Sequence, residues 1–161
     1  MQQKNRKLVS NLTDLISLCS QYKEDNKKII MTNGCFDILH TGHVHILAES
    51  KKMGDVLIVA LNSDKSINKL KGNNRPIMNQ VDRSYILSNL ESVDHIFIFN
   101  EETPERIICE ILPDILVKGS DYKNKEVAGE DCLIKNNKKI VLVDLIDGKS
   151  STNFINKILD S

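Results

Sequence analysis

The stretch Lys28-Ile29-Ile30-Met31-Thr32-Asn33-Gly34-Cys35-Phe36-Asp37-Ile38-Leu39-His40-Thr41-Gly42-His43 opens on an apolar run, breaks at Asn33-Gly34 and passes directly into helical spacing. A short apolar run bounded by turn residues reads as a buried strand, and a strand that enters a helix through a tight turn is half of a strand–helix–strand unit. The other half follows. After a helix over about residues 42–53 comes Val56-Leu57-Ile58-Val59-Ala60-Leu61, apolar throughout. A strand without polar alternation is what a sheet covered on both faces requires.

The same alternation extends in both directions. Upstream, Leu12, Leu15, Ile16 and Cys19 recur at helical spacing over residues 11–24. Downstream, the polar residues 62–74 read as a long connection, and Val81, Tyr85, Ile86 and Leu90 give an apolar face to a helix over 80–91. His95-Ile96-Phe97-Ile98-Phe99 is a third strand. Thr103-Pro104-Glu105 reads as a helix start, with Thr103 as cap and proline in the first turn, in a helix that stops before Pro113. Ile115-Leu116-Val117 and Ile140-Val141-Leu142-Val143 are the last strands, separated by a short helix near 127–135, and an amphipathic helix over 151–159 closes the chain. The ordering predicts an α/β, Rossmann-like, doubly wound fold: a five-stranded, mostly parallel sheet with helices on both faces. Residues 1–161 read as a single domain, with about the first ten flexible.

Charge and composition narrow the function. The chain has 22 basic and 22 acidic side chains, so no global field draws it to nucleic acid or to an anionic membrane. Any phosphate must therefore be held by local groups. No apolar run approaches the length of a membrane span, no signal-peptide core follows the N-terminus, and a cytoplasmic location is expected. Cys19, Cys35, Cys109 and Cys132 are scattered without a Cys-x-x-Cys pair and read as reduced thiols.

In open parallel sheets ligands bind beyond the C-terminal strand ends, which is where the unusual residues fall. His40 and His43 flank Gly42 at the start of a helix, whose unpaired N–H groups and partial positive charge suit phosphate. Taken alone, such a pair is more readily an ordinary polar helix start. A zinc trio of His40, His43 and His45 lacks a carboxylate or cysteine at ligand spacing. Gly148-Lys149-Ser150 resembles the end of a P-loop, but Val143 stands where its first glycine is needed. What remains is Ser150-Ser151-Thr152 at a second helix start, where capping and phosphate binding draw on the same N–H groups. Lys71, Arg75, Arg83 and Lys118 are candidate cations for phosphate charge.

Together, His40-Thr41-Gly42-His43 and Ser150-Ser151-Thr152-Asn153-Phe154-Ile155 resemble the H-x-G-H and terminal S-S/T-T-x-x-I marks of the cytidylyltransferase-like nucleotidyltransferases. Over residues 12–158 the chain most resembles the adenylyltransferase domain of ADP-heptose synthase, which acts on glycero-manno-heptose 1-phosphate. Besides residues 32–40, the likeness is carried by Leu61-Asn62-Ser63-Asp64, Leu70-Lys71-Gly72, Arg75-Pro76, Leu112-Pro113-Asp114-Ile115-Leu116-Val117-Lys118-Gly119 and Asp121-Tyr122. The resemblance implies catalytic roles for His40, His43 and Lys71. It implies nucleotide contacts from Gly34, Cys35, Phe36, Gly42, Lys118, Ser150, Ser151 and Thr152, and substrate contacts from Asp37, Asn62, Asp64, Arg75 and Asp121. It further implies ATP and a sugar 1-phosphate as substrates, Mg2+ carried mainly on the ATP phosphates, and a separate heptose kinase as supplier. A homodimer, to which residues 95–99 would contribute, is also expected by analogy to the fold. A cytidylyltransferase acting on glycerol 3-phosphate is the alternative within the same superfamily. Ser120, where the pattern has glycine, and Lys149 depart from it.

Overall fold

The computed structural model of the protein describes residues 6–146 and 151–159. Strands β1 (Leu8–Val9), β2 (Ile29–Gly34), β3 (Val56–Asn62), β4 (His95–Phe99), β5 (Ile115–Gly119) and β6 (Lys139–Val143) form one sheet in the order β1-β4-β3-β2-β5-β6. Every pairing is parallel. Around it lie α1 (Leu12–Glu24), α2 (Thr41–Lys51), α3 (Asp64–Lys71), α4 (Gln80–Ser88), α5 (Glu105–Ile111), α6 (Glu130–Lys135) and α7 (Ser151–Leu159).

The all-apolar β3 serves two cores at once. Val56, Ile58 and Ala60 pack with Leu15 of α1, Ile107 and Ile108 of α5 and Leu133 of α6. Leu57, Val59 and Leu61 face the other way, with Leu47 of α2 and Leu87 of α4. The period of two along a strand thus divides one apolar run between two layers of helices. From β2 the chain winds outward to β3 and β4, then crosses back to lay β5 on the other side of β2. The C-terminal ends of β2 and β5 therefore mark the reversal point of the sheet, where such folds open a ligand crevice.

Four expectations need correction. The sheet has six strands, not five: β1 is two residues long, too short to show a period, and exists through pairing with β4 at Leu8↔Ile96 and Val9↔Phe97. That pairing also places β1 beside Ile96 and Phe97, so these two residues of β4 have a strand on each side. The polar segment 62–74 is not a plain connection, because α3 occupies most of it. The Ser63 side chain accepts from Ser66 N–H at 3.1 Å as its cap, and Ile67 is fully buried. At α5, Pro104 and not Thr103 holds the capping position, with no side-chain cap bond.

The fourth correction concerns the thiols. Cys109 of α5 and Cys132 of α6 are joined in a disulfide, while Cys19 and Cys35 are free. A separation of 23 residues hid an adjacency that the shared core beneath α5 and α6 creates. Cross-linking across that span restricts the unfolded chain by about 3 kcal/mol. Reduction is therefore expected to lower the urea midpoint by that equivalent, and a Cys109→Ser, Cys132→Ser double variant should show no response to reductant. Among the described residues no helix is long and apolar enough to cross a membrane.

Candidate active site

A cleft of ≈780 Å3 opens beyond the ends of β2 and β5. Its floor is the turn after β2. Phe36 adopts φ 46° and folds back so that a Cβ on Gly34 would stand 3.0 Å from its ring, which is why glycine precedes it. Burial holds the Phe36 ring against His43, with centroids 5.0 Å apart.

The two histidines are built into the start of α2. His40 is the N-cap residue, and its Nδ1 accepts from Gly42 N–H at 3.1 Å. Because Nδ1 uses its lone pair this way, the neutral ring carries its proton on Nε2. His43 stacks on His40 with centroids 3.8 Å apart at 26°, and it is His43 that lines the cleft. Helix α7 comes to the same place. Phe154 lies 5.5 Å from the His40 ring, and Ser151 Oγ donates to Ile38 O at 3.3 Å while also lining the cleft. Two helix N-termini thus meet at one spot, and the partial positive charge of each suits an anion. Ser150, Lys149 and the rest of 147–150 lie outside the described residues.

Burial pushes His43 down from 6.5 to about 4, aided by His40 and Lys71 and opposed by the Ile38 carbonyl. At neutral pH it offers a ring N–H, not a charge. Positive charge comes from Lys71, exposed at the end of α3, and from Lys118, which is 4% exposed at the end of β5. Burial brings Lys118 down to about 8 against the pull of Asp121. Its Nζ donates to Asn33 Oδ1 and sits 4.6 Å above the Tyr122 ring, so the cation is aimed across the reversal point of the sheet.

Two ion pairs shape the same wall, one buried and one whose carboxylate, Asp64, is half-exposed. Asp37, 1% exposed, accepts from Arg75 Nε at 2.6 Å and from the N–H groups of Ile77 and Met78 at 2.8 and 2.9 Å. Burial pushes its carboxyl up, but those N–H groups and the guanidinium more than offset this and hold it below the usual range. Arg83, read from sequence as a phosphate partner, is instead 1% exposed and committed inside the protein. It donates to Met78 O, Cys35 O and Asn62 O and pairs with Asp64 at 2.7 Å.

Of the residues singled out from sequence, Gly34, Cys35, Phe36, Asp37, His43, Asn62, Lys71, Lys118 and Ser151 line the cleft together. His40, Gly42, Asp64 and Arg75 stand behind that lining, while Thr152 and Asp121 are exposed beside it. Asn33 and Tyr122, which carry part of the resemblance but no site role from sequence, each touch Lys118. No site role was read for the far wall either, where Thr103, Glu105, Glu126 and Glu130 face the cleft around the starts of α5 and α6. Glu105 and Glu130 are the first residues of α5 and α6, Glu126 lies on the segment before α6, and no motif marks any of them. Among the described residues no group of three His, Cys, Asp or Glu side chains could hold a metal ion.

The family model described as cytidylyltransferase-like matches residues 31–156, from β2 through the His40–His43 turn to α7. The chain belongs to the cytidylyltransferase-like family. A relative in that family, the "Bifunctional protein HldE" of Aliarcobacter butzleri, is 49% identical over 153 residues, covering 95% of this chain and 31% of its own length. The chain thus spans about a third of the curated relatives it matches. Among solved structures, the lipopolysaccharide core biosynthesis protein from Thermoplasma volcanium is 33% identical with TM-score 0.61, covering 74% of this chain and 97% of its own. Pantothenate synthetase from Thermus thermophilus, 16% identical with TM-score 0.65 over 92% of this chain and 67% of its own, shares the fold.

Proposed function

We propose that this cytidylyltransferase-like chain transfers AMP from ATP to D-glycero-D-manno-heptose 1-phosphate, giving ADP-heptose and pyrophosphate. The observation that carries the reading is the stacked His40–His43 pair, where two helix N-termini meet in a cleft that also holds Lys71 and Lys118. In this reading a phosphate oxygen of the sugar 1-phosphate attacks the α-phosphorus of ATP, and the bond to the bridging oxygen of pyrophosphate breaks. Catalysis is positioning and charge stabilisation, with no covalent enzyme intermediate. Mg2+ would enter on the nucleotide phosphates and spread their charge, because the described residues include no group of three His, Cys, Asp or Glu side chains to hold it. The acceptor must already be phosphorylated at its anomeric carbon, so a sugar kinase acts first, in the cytoplasm where ATP is plentiful. The lipopolysaccharide core role of the Thermoplasma volcanium protein supports a sugar acceptor.

The test is pyrophosphate release from ATP, CTP and GTP with the α and β anomers of heptose 1-phosphate and with glycerol 3-phosphate. Turnover with ATP and one heptose anomer is expected. Release only from CTP with glycerol 3-phosphate would overturn the proposal.

Lys118 gives this reaction a pH dependence. The ammonium form that attracts phosphate predominates below about 8, a value lowered from 10.5 by burial. Nucleotide affinity should therefore begin to fall as pH rises through about 8. Calorimetric titration of wild type and Lys118→Arg checks this, since a guanidinium stays charged and should flatten the alkaline limb.

A further inference from the structure

The largest fully buried side chain in the described protein is a charged one, Arg83 of α4. Its guanidinium makes four bonds to four different segments. Nε donates to Met78 O at 2.9 Å, Nη1 to Cys35 O at 2.6 Å and to Asn62 O at 2.8 Å, and Nη2 to Asp64 Oδ1 at 2.7 Å. Those acceptors lie in the turn that leads to the histidines, at the end of β3, at the first residue of the helix that ends in Lys71, and in the segment returning from that helix. Burying a charge is costly, and an apolar side chain would fill the same space at lower cost. What an apolar side chain cannot do is fix four carbonyl and carboxylate acceptors at set angles, which the planar fork of arginine does.

We infer that Arg83 is a positioning residue that sets the separation between the histidine-bearing turn after β2 and the lysine-bearing helix α3. A rigid guanidinium between Cys35 O and Asp64 fixes how far the His43 ring stands from the Lys71 end of the cleft. The inference rests on the adenylyl-transfer reading for its catalytic consequence, but not for its geometry.

Arg83→Lys keeps the charge and loses the fork, and Arg83→Ala leaves a space that a free guanidinium ion can enter. Both variants are compared with wild type by amide hydrogen exchange and by pyrophosphate release. Exchange is expected to quicken at residues 35–37 and 64–71 while α1 keeps its protection. The kcat of each variant should fall by about 10²-fold, because small displacements of positioned groups cost that much. Nucleotide Kd should change little, and added methylguanidinium should restore kcat and protection together in Arg83→Ala. Unchanged exchange in both segments, exchange quickened equally throughout the chain, or a loss of kcat that methylguanidinium leaves untouched would each overturn the inference. If wild type released no pyrophosphate with any acceptor, the adenylyl-transfer reading would fail, and the exchange pattern would still decide whether Arg83 holds the two segments.

Discussion

Alanine in place of His43 is expected to leave the chain folded and to lower kcat by about 10²- to 10³-fold, the usual cost of one lost donor to developing charge. His43 is the member of the stacked pair that lines the cleft, and burial keeps its ring neutral at working pH. Its contribution is then a directed N–H, with Lys71 and Lys118 supplying the positive charge. Glutamine at the same position retains an N–H donor and should recover part of the loss. Substrate KM should move less than kcat if the donor acts on charge that appears only during transfer. The alanine variant also removes a ring wedged between Phe36 and His40, so its melting temperature must be measured beside its turnover. A folded His43→Ala protein with near-native kcat would falsify the catalytic assignment.

The second large effect is on stability. Asp37→Ala is expected to cost about 3–5 kcal/mol in denaturant titrations, because breaking a buried ion pair leaves the other charge uncompensated. The carboxylate is 1% exposed, and its loss strands the Arg75 guanidinium together with the N–H groups of Ile77 and Met78. Arg75 Nη2 is already buried with no hydrogen-bond partner, so the pairing through Nε is what compensates this cation. The depressed carboxyl gives the same interaction a pH signature in wild type. Its stabilisation is complete well above 3.8 and is lost as the carboxylate takes up a proton at lower pH. A drop of less than 1 kcal/mol in Asp37→Ala would mean that the clamp on residues 75–78 is held elsewhere.

Much of this protein is legible in its sequence, for identifiable reasons. The β3 run declares a strand buried on both faces because apolar residues occupy both parities, and the structure divides those parities between two cores. His40 and Ser151 mark helix starts because the chemistry that satisfies orphan N–H groups also attracts phosphate. Tertiary pairing was not legible. β1 has two residues and no pattern of its own, and its partner lies 88 positions away, as in Leu8↔Ile96. Arg83 looks like any surface cation in a polar helix segment, because nothing local reveals that three carbonyl oxygens converge on it. The Cys109–Cys132 bond and the carboxylate wall opposite Lys118 likewise depend on α5 and α6 meeting over a shared core. Helix α3 was hidden because its polar residues outnumber the buried Ile67 and Ser66 that anchor it.

The placement of the two outermost elements bears on how the protein can be handled. β1 forms one border of the sheet beside β4, remote from the β2–β5 reversal point, whereas α7 carries Ser151 and Phe154 into contact with the histidine turn. An affinity tag, a surface tether or a second enzyme joined ahead of β1 therefore attaches at a border that takes no part in the cleft. The same addition behind α7 hangs from a helix whose first turn forms part of the cleft wall, so immobilised or fused versions should be built from the front of the chain.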